Sequence, residues 1–173
     1  MKVVSIFNKK NEKDFEELIE EYKMKFYKTA KSILKNEDDV YDALQEALIS
    51  IYQNFDKLEN KNFFSTWGTR IVINKCYDLL RKNKKMENNI YIDDEMINCD
   101  LQYDNKKDNE KIEFDDILKF LSKEQKIITT LYYYNEYSVR EIAIMLEQPE
   151  GTIKYKLSKI RTELKIILER GEL

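Results

Sequence analysis

The sequence predicts an all-α chain of two small helical domains joined by a flexible acidic linker, and three observations carry that prediction. Only 3 Gly and 1 Pro occur in 173 residues, which leaves almost no turn chemistry for the many hairpins of a β-sandwich or barrel. Apolar residues make up 42% of the chain, enough to fill a core and too many for global disorder. Charge divides the chain in three: residues 1–85 carry 17 Lys/Arg and 14 Asp/Glu, residues 86–110 carry 2 against 8, and residues 111–173 carry 11 of each. The middle stretch is rich in Asn and lacks sustained helical spacing, so it reads as the linker.

In the first domain, residues 1–85, apolar Phe15, Leu18, Ile19, Tyr22, Phe26, Ile33 and Leu34 recur at helical spacing. A second helix over residues 38–55 places Leu44, Ala47, Leu48, Ile51 and Phe55 on one stripe. The third, over residues 64–85, is the informative one. Steps of about 100° per residue put Phe64, Gly68, Ile71, Val72, Cys76, Leu79 and Leu80 on one arc. Thr66, Trp67, Arg70, Asn74, Tyr77, Arg81, Lys84 and Lys85 share the opposite arc. Rings to stack on unpaired bases, cations for phosphates and an amide for a base edge are what single-stranded DNA needs. The competing reading is a solvated face with Trp67 and Tyr77 tucked against a neighbouring helix.

The last domain, residues 111–173, has the rhythm of a helix-turn-helix. Ser122-Lys123-Glu124-Gln125 fits a capping box that opens a helix with Ile128 and Leu131 inward. Ser138-Val139-Arg140-Glu141 fits a second, ahead of Ile142, Ala143 and Leu146 as buried positions. Glu147-Gln148-Pro149 breaks that helix, and Pro149 suits the start of the next. Ile153, Leu157, Ile160 and Leu164 form the inner stripe of the final helix. Gly151, Thr152, Tyr155, Ser158, Lys159 and Thr162 lie outward, flanked by Lys154, Lys156 and Arg161. A short helix, a tight turn and a basic helix form a unit suited to the major groove; a structural hairpin with a solvated basic face is the alternative.

Composition also excludes function classes. The chain has no His, which removes the commonest general base, the Ser-His and Cys-His pairs and most zinc constellations. Asp38-Asp39 and Asp93-Asp94-Glu95 stand in a helix start and the linker without a Gly-rich loop or metal spacing, so solvation accounts for them. No catalytic residue, cofactor or metal site is expected. Cys76 and Cys99 show neither ligand spacing nor disulfide density and read as reduced thiols, Cys76 in the core. The apolar stretch Val3–Phe7 is too short for a signal sequence or a span. A cytoplasmic protein with no membrane insertion of its own is expected.

Four stretches resemble the bacterial RNA polymerase sigma factors of the sigma-70 family, extracytoplasmic-function type, over residues 14–168. Asp42-Ala43-Leu44-Gln45-Glu46 resembles D-A-x-Q-E. Phe64-Ser65-Thr66-Trp67 with Arg70-Ile71, Asn74, Asp78 and Arg81 resembles F-x-T-W-L-x-R-I-A-x-N-x-x-x-D-x-x-R. Leu121-Ser122-Lys123-Glu124-Gln125-Lys126 resembles L-P-x-x-Q-R, and residues 151–161 resemble G-T-V-K-S-R-L-x-R-A-R.

The resemblance implies an alternative sigma factor, not an enzyme. It would bind core RNA polymerase, including the β′ clamp helices and the β flap, and direct initiation at bipartite promoters. Asp42, Ala43, Gln45 and Glu46 would dock on the β′ clamp helices. Asn60, Lys61, Asn62 and Phe63 would form the loop that captures a flipped −10 base, with Trp67, Arg70, Asn74, Tyr77 and Arg81 on the melting helix. Arg140, Thr152, Lys154, Tyr155, Lys156, Ser158 and Lys159 would meet the −35 element. The linker would thread the polymerase cleft. An anti-sigma factor, often membrane-bound, is a further implied partner.

The departures from the family pattern are specific. Gly68 replaces an apolar residue, which admits a close neighbour. Glu147 stands where Gly often takes a left-handed turn, and Tyr155 is bulkier than the common Ser. Lys replaces Arg at Lys126, Lys156 and Lys159, which loses bidentate guanine recognition. Two other classes compete with the sigma reading. A helix-turn-helix repressor or activator acting without polymerase would need neither the Asp42–Glu46 surface nor a stacking face. A helical adaptor would show no salt-dependent DNA binding.

Overall fold

The structure, a computed structural model, describes residues 9–87 and 114–170; residues 1–8, 88–113 and 171–173, with most of the expected linker, lie outside them. Among the described residues every regular element is helical. α1 (Lys9–Ile33), α2 (Glu37–Asn54) and α3 (Phe64–Glu87) build the N-terminal unit. Asn36 starts α2 from an extended backbone, its side chain accepting from the Asp38 amide at 3.0 Å. Glu37, Asp38 and Asp39 in the first turn suit the positive end of the helix dipole. Two 3₁₀ turns, Phe55–Lys57 and Lys61–Phe63, connect α2 to α3.

Phe64 centres this unit's core. It is fully buried, and the rings of Tyr22, Phe26, Phe55 and Trp67 surround it at centroid distances of 5.9, 6.2, 5.8 and 6.1 Å. The Gly68 departure has a packing reason: a Cβ there would lie 2.7 Å from Phe26 Cζ and 3.6 Å from Ile51 Cδ1, so the missing side chain lets α3 close onto α1 and α2. The α2 stripe is rotated from the expected one. Val40, Ala43, Ala47 and Ile51 are buried, while Leu44 and Leu48 are half-buried. Two alanines on the inner face allow the helices to approach closely, and the larger leucines are displaced to the flanks.

α4 (Phe114–Lys119), α5 (Lys123–Thr129), α6 (Val139–Leu146) and α7 (Glu150–Arg170) build the C-terminal unit, with a π-helical turn at Thr130–Tyr134 after α5. Both capping boxes form: Ser122 with Gln125, and Ser138 with Glu141. α4 and the π-turn carry no sequence signal used above. Ile128, Leu131, Ile142, Ile153, Leu157 and Ile160 make the core. Met145 is buried there, and Leu146 only partly, because α6 directs its Ile142 edge and the residue three positions on toward the interior.

Glu147 does take the left-handed conformation, at φ 54° and ψ 41°. The amides of Glu147 and Gln148 reach back to the carbonyls of Ile144, at 3.4 Å, and Ala143, at 3.0 Å. That is a Schellman closure with Glu at the position Gly favours, at a steric cost of roughly 1–2 kcal/mol. Pro149 then offers its carbonyl to the amides of Thr152 and Ile153, opening α7.

The two units touch. α1 packs against α5 and the π-turn, and α3 packs against α6.

Candidate nucleic-acid interface

Three surfaces hold the residues singled out from the sequence. On α2, Asp42, Gln45 and Glu46 are exposed, but Ala43 is only 2% exposed. Ala43 therefore belongs to the core and offers no side chain to a docking partner. Its place in the motif reflects helix packing. Glu46 faces Lys75 at 3.6 Å and Lys82 at 3.9 Å on α3. Between the helices lies a groove of about 390 Å³ with Glu46, Lys75, Asp78, Arg81, Lys82 and Lys85 on its walls.

The second surface begins in the 3₁₀ turn before α3. The Asn60 side chain accepts from the Asn62 amide at 2.9 Å and thereby shapes the turn. Lys61 pairs with Asp14 and lies 5.7 Å from the Phe55 ring, so it is tied to the scaffold. Phe63 projects with 62% of its surface exposed, although the adjacent Phe64 is wholly buried. An exposed ring anchored by a buried neighbour is a rigid stacking platform.

Along α3 itself, Asn74, Tyr77 and Arg81 are exposed and Arg70 is half-buried. Trp67 is half-buried against Phe64, so its ring is shared between core and surface. Arg81 pairs with Asp78 one turn back. Asn74 and Tyr77 line a groove of about 220 Å³ whose opposite wall is Glu124, Ile127, Leu146 and Gln148 of the C-terminal unit. Burial, and then the nearby Glu124 charge, push the Tyr77 phenol above its ordinary pKa. Cys76, behind this face, is fully buried and its thiol is pushed up to about 12 by burial. It is an inert core residue, as its place on the inner arc predicts.

The third surface is the helix-turn-helix. Arg140, Lys154, Tyr155, Ser158 and Lys159 are exposed, and Thr152 is half-buried. Lys156 is drawn inward: it pairs with Glu124 and donates to the Gln148 side chain at 2.8 Å. The ammonium holds the Glu124 carboxyl below the ordinary carboxylate range, against the opposing effect of burial. Lys156 thus joins α7 to α5 and to the turn. Arg161 donates to the Tyr133 hydroxyl at 2.9 Å and lies 5.8 Å from the Tyr132 ring, a bracing of α7 that its outward spacing did not reveal.

Among the described residues no three His, Cys, Asp or Glu side chains form a cluster that could hold a metal ion, and no helix is long and apolar enough to cross a membrane.

Comparison with known proteins matches these surfaces to two family descriptions in order. Sigma-70 region 2 matches residues 18–86, and Sigma-70, region 4 matches residues 111–164. The RNA polymerase sigma factor SigV of Bacillus subtilis is 28% identical over 156 residues, covering 90% of this chain and 91% of that protein. The ECF RNA polymerase sigma factor SigW of the same organism is 28% identical over 172 residues, covering 91% and 90%. Among solved structures, the fold is similar to that of the Bartonella quintana sigma factor RpoE in complex with the anti-sigma factor NepR. That likeness has a TM-score of 0.71 at 23% identity and covers 91% of this chain and 98% of that one. CnrH in complex with the cytosolic domain of CnrY gives a TM-score of 0.63 at 19% identity, covering 92% and 90%. With both regions matched in order and relatives aligned over nearly their whole length, the chain belongs to the sigma-70 family and is an alternative RNA polymerase sigma factor of the extracytoplasmic-function type.

Proposed function

We propose that this chain directs core RNA polymerase to its promoters with residues 1–85 as region 2, 86–110 as an acidic linker and 111–173 as region 4. Asp42, Gln45 and Glu46 dock on the β′ clamp helices. The Asn60–Phe63 turn and Arg70, Asn74, Tyr77 and Arg81 capture and melt the −10 element, with Trp67 supporting the turn from below. Arg140, Thr152, Lys154, Tyr155, Ser158 and Lys159 meet the −35 duplex, and Lys156 positions their helix. The protein carries no catalytic step of its own, works in the cytoplasm and is held by a cognate anti-sigma factor until needed.

One observation supports this reading over a repressor or activator: exposed Phe63, Asn74, Tyr77 and Arg81 lie along one helix and its entry turn. That combination suits unpaired bases, and a protein that binds only duplex DNA has no use for it. Run-off transcription with purified bacterial core polymerase and genomic fragments, with and without the chain, tests it. New discrete starts are expected in its presence only. Asp42→Lys with Gln45→Ala abolishes polymerase capture while circular dichroism stays that of the parent; retained capture removes that surface from the reading. Duplex binding with no new starts transfers the chain to the repressor or activator class.

A further inference from the structure

The outward stripe of α7 carries one aromatic ring, and the fold holds that ring out. Ile153 and Leu157, two residues to either side of Tyr155, are buried, and Lys156 is tied to Glu124 and Gln148. These contacts fix the rotation of α7, so Tyr155 stands on the side away from the core with 68% of its surface exposed. One turn ahead of it is Gly151, where a Cβ would meet open space. That turn therefore offers the ring no wall to fold against. Side chains on a helix lean toward its N-terminus, which directs the phenol to the end of α7 that a helix-turn-helix presents to base edges.

The neighbours on this stripe narrow what the ring can read. Gly151, Tyr155, Ser158, Lys159 and Thr162 are all exposed and follow one another at helical steps of three and four. None is Asn or Gln, which pair with adenine, or Asp or Glu, which accept from cytosine, and none carries a guanidinium for guanine. Arg161 lies beside the stripe, but it donates to the Tyr133 hydroxyl at 2.9 Å. Arg140 belongs to α6, the helix that crosses the DNA backbone. Lys159 shares Glu163 at 3.8 Å, and Thr162 donates to the Ser158 carbonyl at 3.2 Å. The largest group left to meet a base is the apolar ring of Tyr155. In the major groove the apolar feature of a base pair is the thymine C5-methyl. A Tyr ring covers it while fixing only two side-chain torsions.

Resting on the reading of α7 as the −35 helix, we propose that Tyr155 sets a base preference there: its ring packs on the methyl of a thymine in the −35 element. Lys154, Ser158 and Lys159 supply charge and single hydrogen bonds around that contact. The preference at that base pair comes from a dry contact of the right shape, not from a hydrogen bond.

The test uses holoenzyme assembled from core polymerase and the full chain, on a promoter fragment found by run-off transcription. Each thymine of its −35 element is replaced in turn by uracil, which keeps every hydrogen-bonding group and lacks only the methyl. Loss of one buried methyl weakens binding about fourfold, so one such replacement should lower the holoenzyme's affinity by about that factor. Tyr155→Phe keeps the ring and should show the same loss. Tyr155→Ser should bind the thymine fragment about fourfold more weakly than the parent and be indifferent to uracil. Because Tyr155 lies outside the core, circular dichroism of both variants should match the parent's. An element without thymine overturns the proposal, as does one in which no uracil matters. A uracil effect that survives Tyr155→Ser assigns the methyl to another side chain, and one lost in Tyr155→Phe assigns the discrimination to the hydroxyl; either result overturns it. Lys154→Ala with Lys159→Ala separates the contact from the reading beneath it. If that variant loses −35 dependence while uracil has no effect on the parent, only the Tyr155 contact is wrong. If its −35 dependence is unchanged, α7 is not the −35 helix and the proposal falls with that reading.

Discussion

α3 and α7 are the two long helices proposed to meet DNA, and they treat their cations in different ways. On α3, Lys75 and Lys82 face Glu46, Arg81 holds Asp78, and Arg70 holds Glu147 of the other unit. On α7, Lys156 pairs with Glu124 and Lys165 with Glu169, but on the outward face Lys154 and Tyr155 stand out into solvent, Tyr155 with 68% of its surface exposed, and Lys159 shares Glu163 at 3.8 Å. A duplex reader can display its contacts permanently, because the major groove is present before the protein arrives. A single-strand reader acts on DNA that must first be opened, and pairing its cations keeps it from competing for bulk phosphate. Exposed pairs contribute only about 0–1 kcal/mol each, so DNA can exchange for them once polymerase has brought it close. The formal net charge of −3 points the same way, since long-range attraction to DNA is weak for the chain as a whole.

The most severe way to break the comparison is Phe64→Ala, which empties the centre of the aromatic cluster under α3. It should cost about 3–5 kcal/mol of the N-terminal unit's stability, read by thermal unfolding, while α7 still binds duplex DNA. Parallel loss of duplex binding would mean that the two units fold as one, and the contrast between their helices would then be only local. Lys154→Ala with Lys159→Ala comes next. Each base contact is worth roughly 1–3 kcal/mol, so initiation that depends on the −35 element should drop at least about tenfold while capture of core polymerase persists. Unchanged −35 dependence would remove α7 from the comparison. Gly68→Ala is smaller. Helix propensity gains about 1 kcal/mol, but the 2.7 Å approach to Phe26 Cζ forces overpacking that costs about 1–3 kcal/mol. A net loss near 1 kcal/mol is expected in urea unfolding, and a gain would show that the Phe26 ring swings aside.

What was legible in the sequence was whatever repeats at short range. The third helix, its two arcs and the two capping boxes follow from spacing over three or four residues, and Glu147 stands out because the family often has Gly in a left-handed turn at its position. At Ala43 the motif match points to the surface, whereas Val40, Ala43, Ala47 and Ile51 form a buried stripe at steps of three and four. Lys156 looked like one more outward cation, and only the fold brings Glu124, from another helix, against it. Asn135 was invisible for a stronger reason. A buried amide is tolerable only when its partners are present, and those partners, Thr29 and Lys25, lie more than a hundred residues away in the chain. Local periodicity carries no trace of such a pairing, so the joint between the units could not be read before the fold was known.

The smallest effect expected separates the units by acid. The Glu124 carboxyl is held low by the Lys156 ammonium. Burial pushes the Glu141 carboxyl up, but its hydrogen bonds from Ser138 and Thr66 outweigh that and leave it below the ordinary range. For groups depressed in the folded state, the unfolded chain binds protons at higher pH, so stability rises with pH across the window. Their contribution is complete above the unfolded value, about 4.3 for Glu, and is lost as pH falls through the lower folded values. Acid should therefore loosen the α5–α7 clamp and the α6 cap while the aromatic core around Phe64, which has no carboxylate in it, holds. Glu124→Gln with Glu141→Gln keeps the hydrogen-bonding shape and removes the titration, so its C-terminal unit should lose less stability between neutral and acid pH than the parent's. Both side chains are partly open to water, which keeps the difference small and calls for a residue-resolved probe such as amide hydrogen exchange. An identical acid response in the double variant would assign the sensitivity to other carboxylates and leave α6 and α7 held by apolar packing alone.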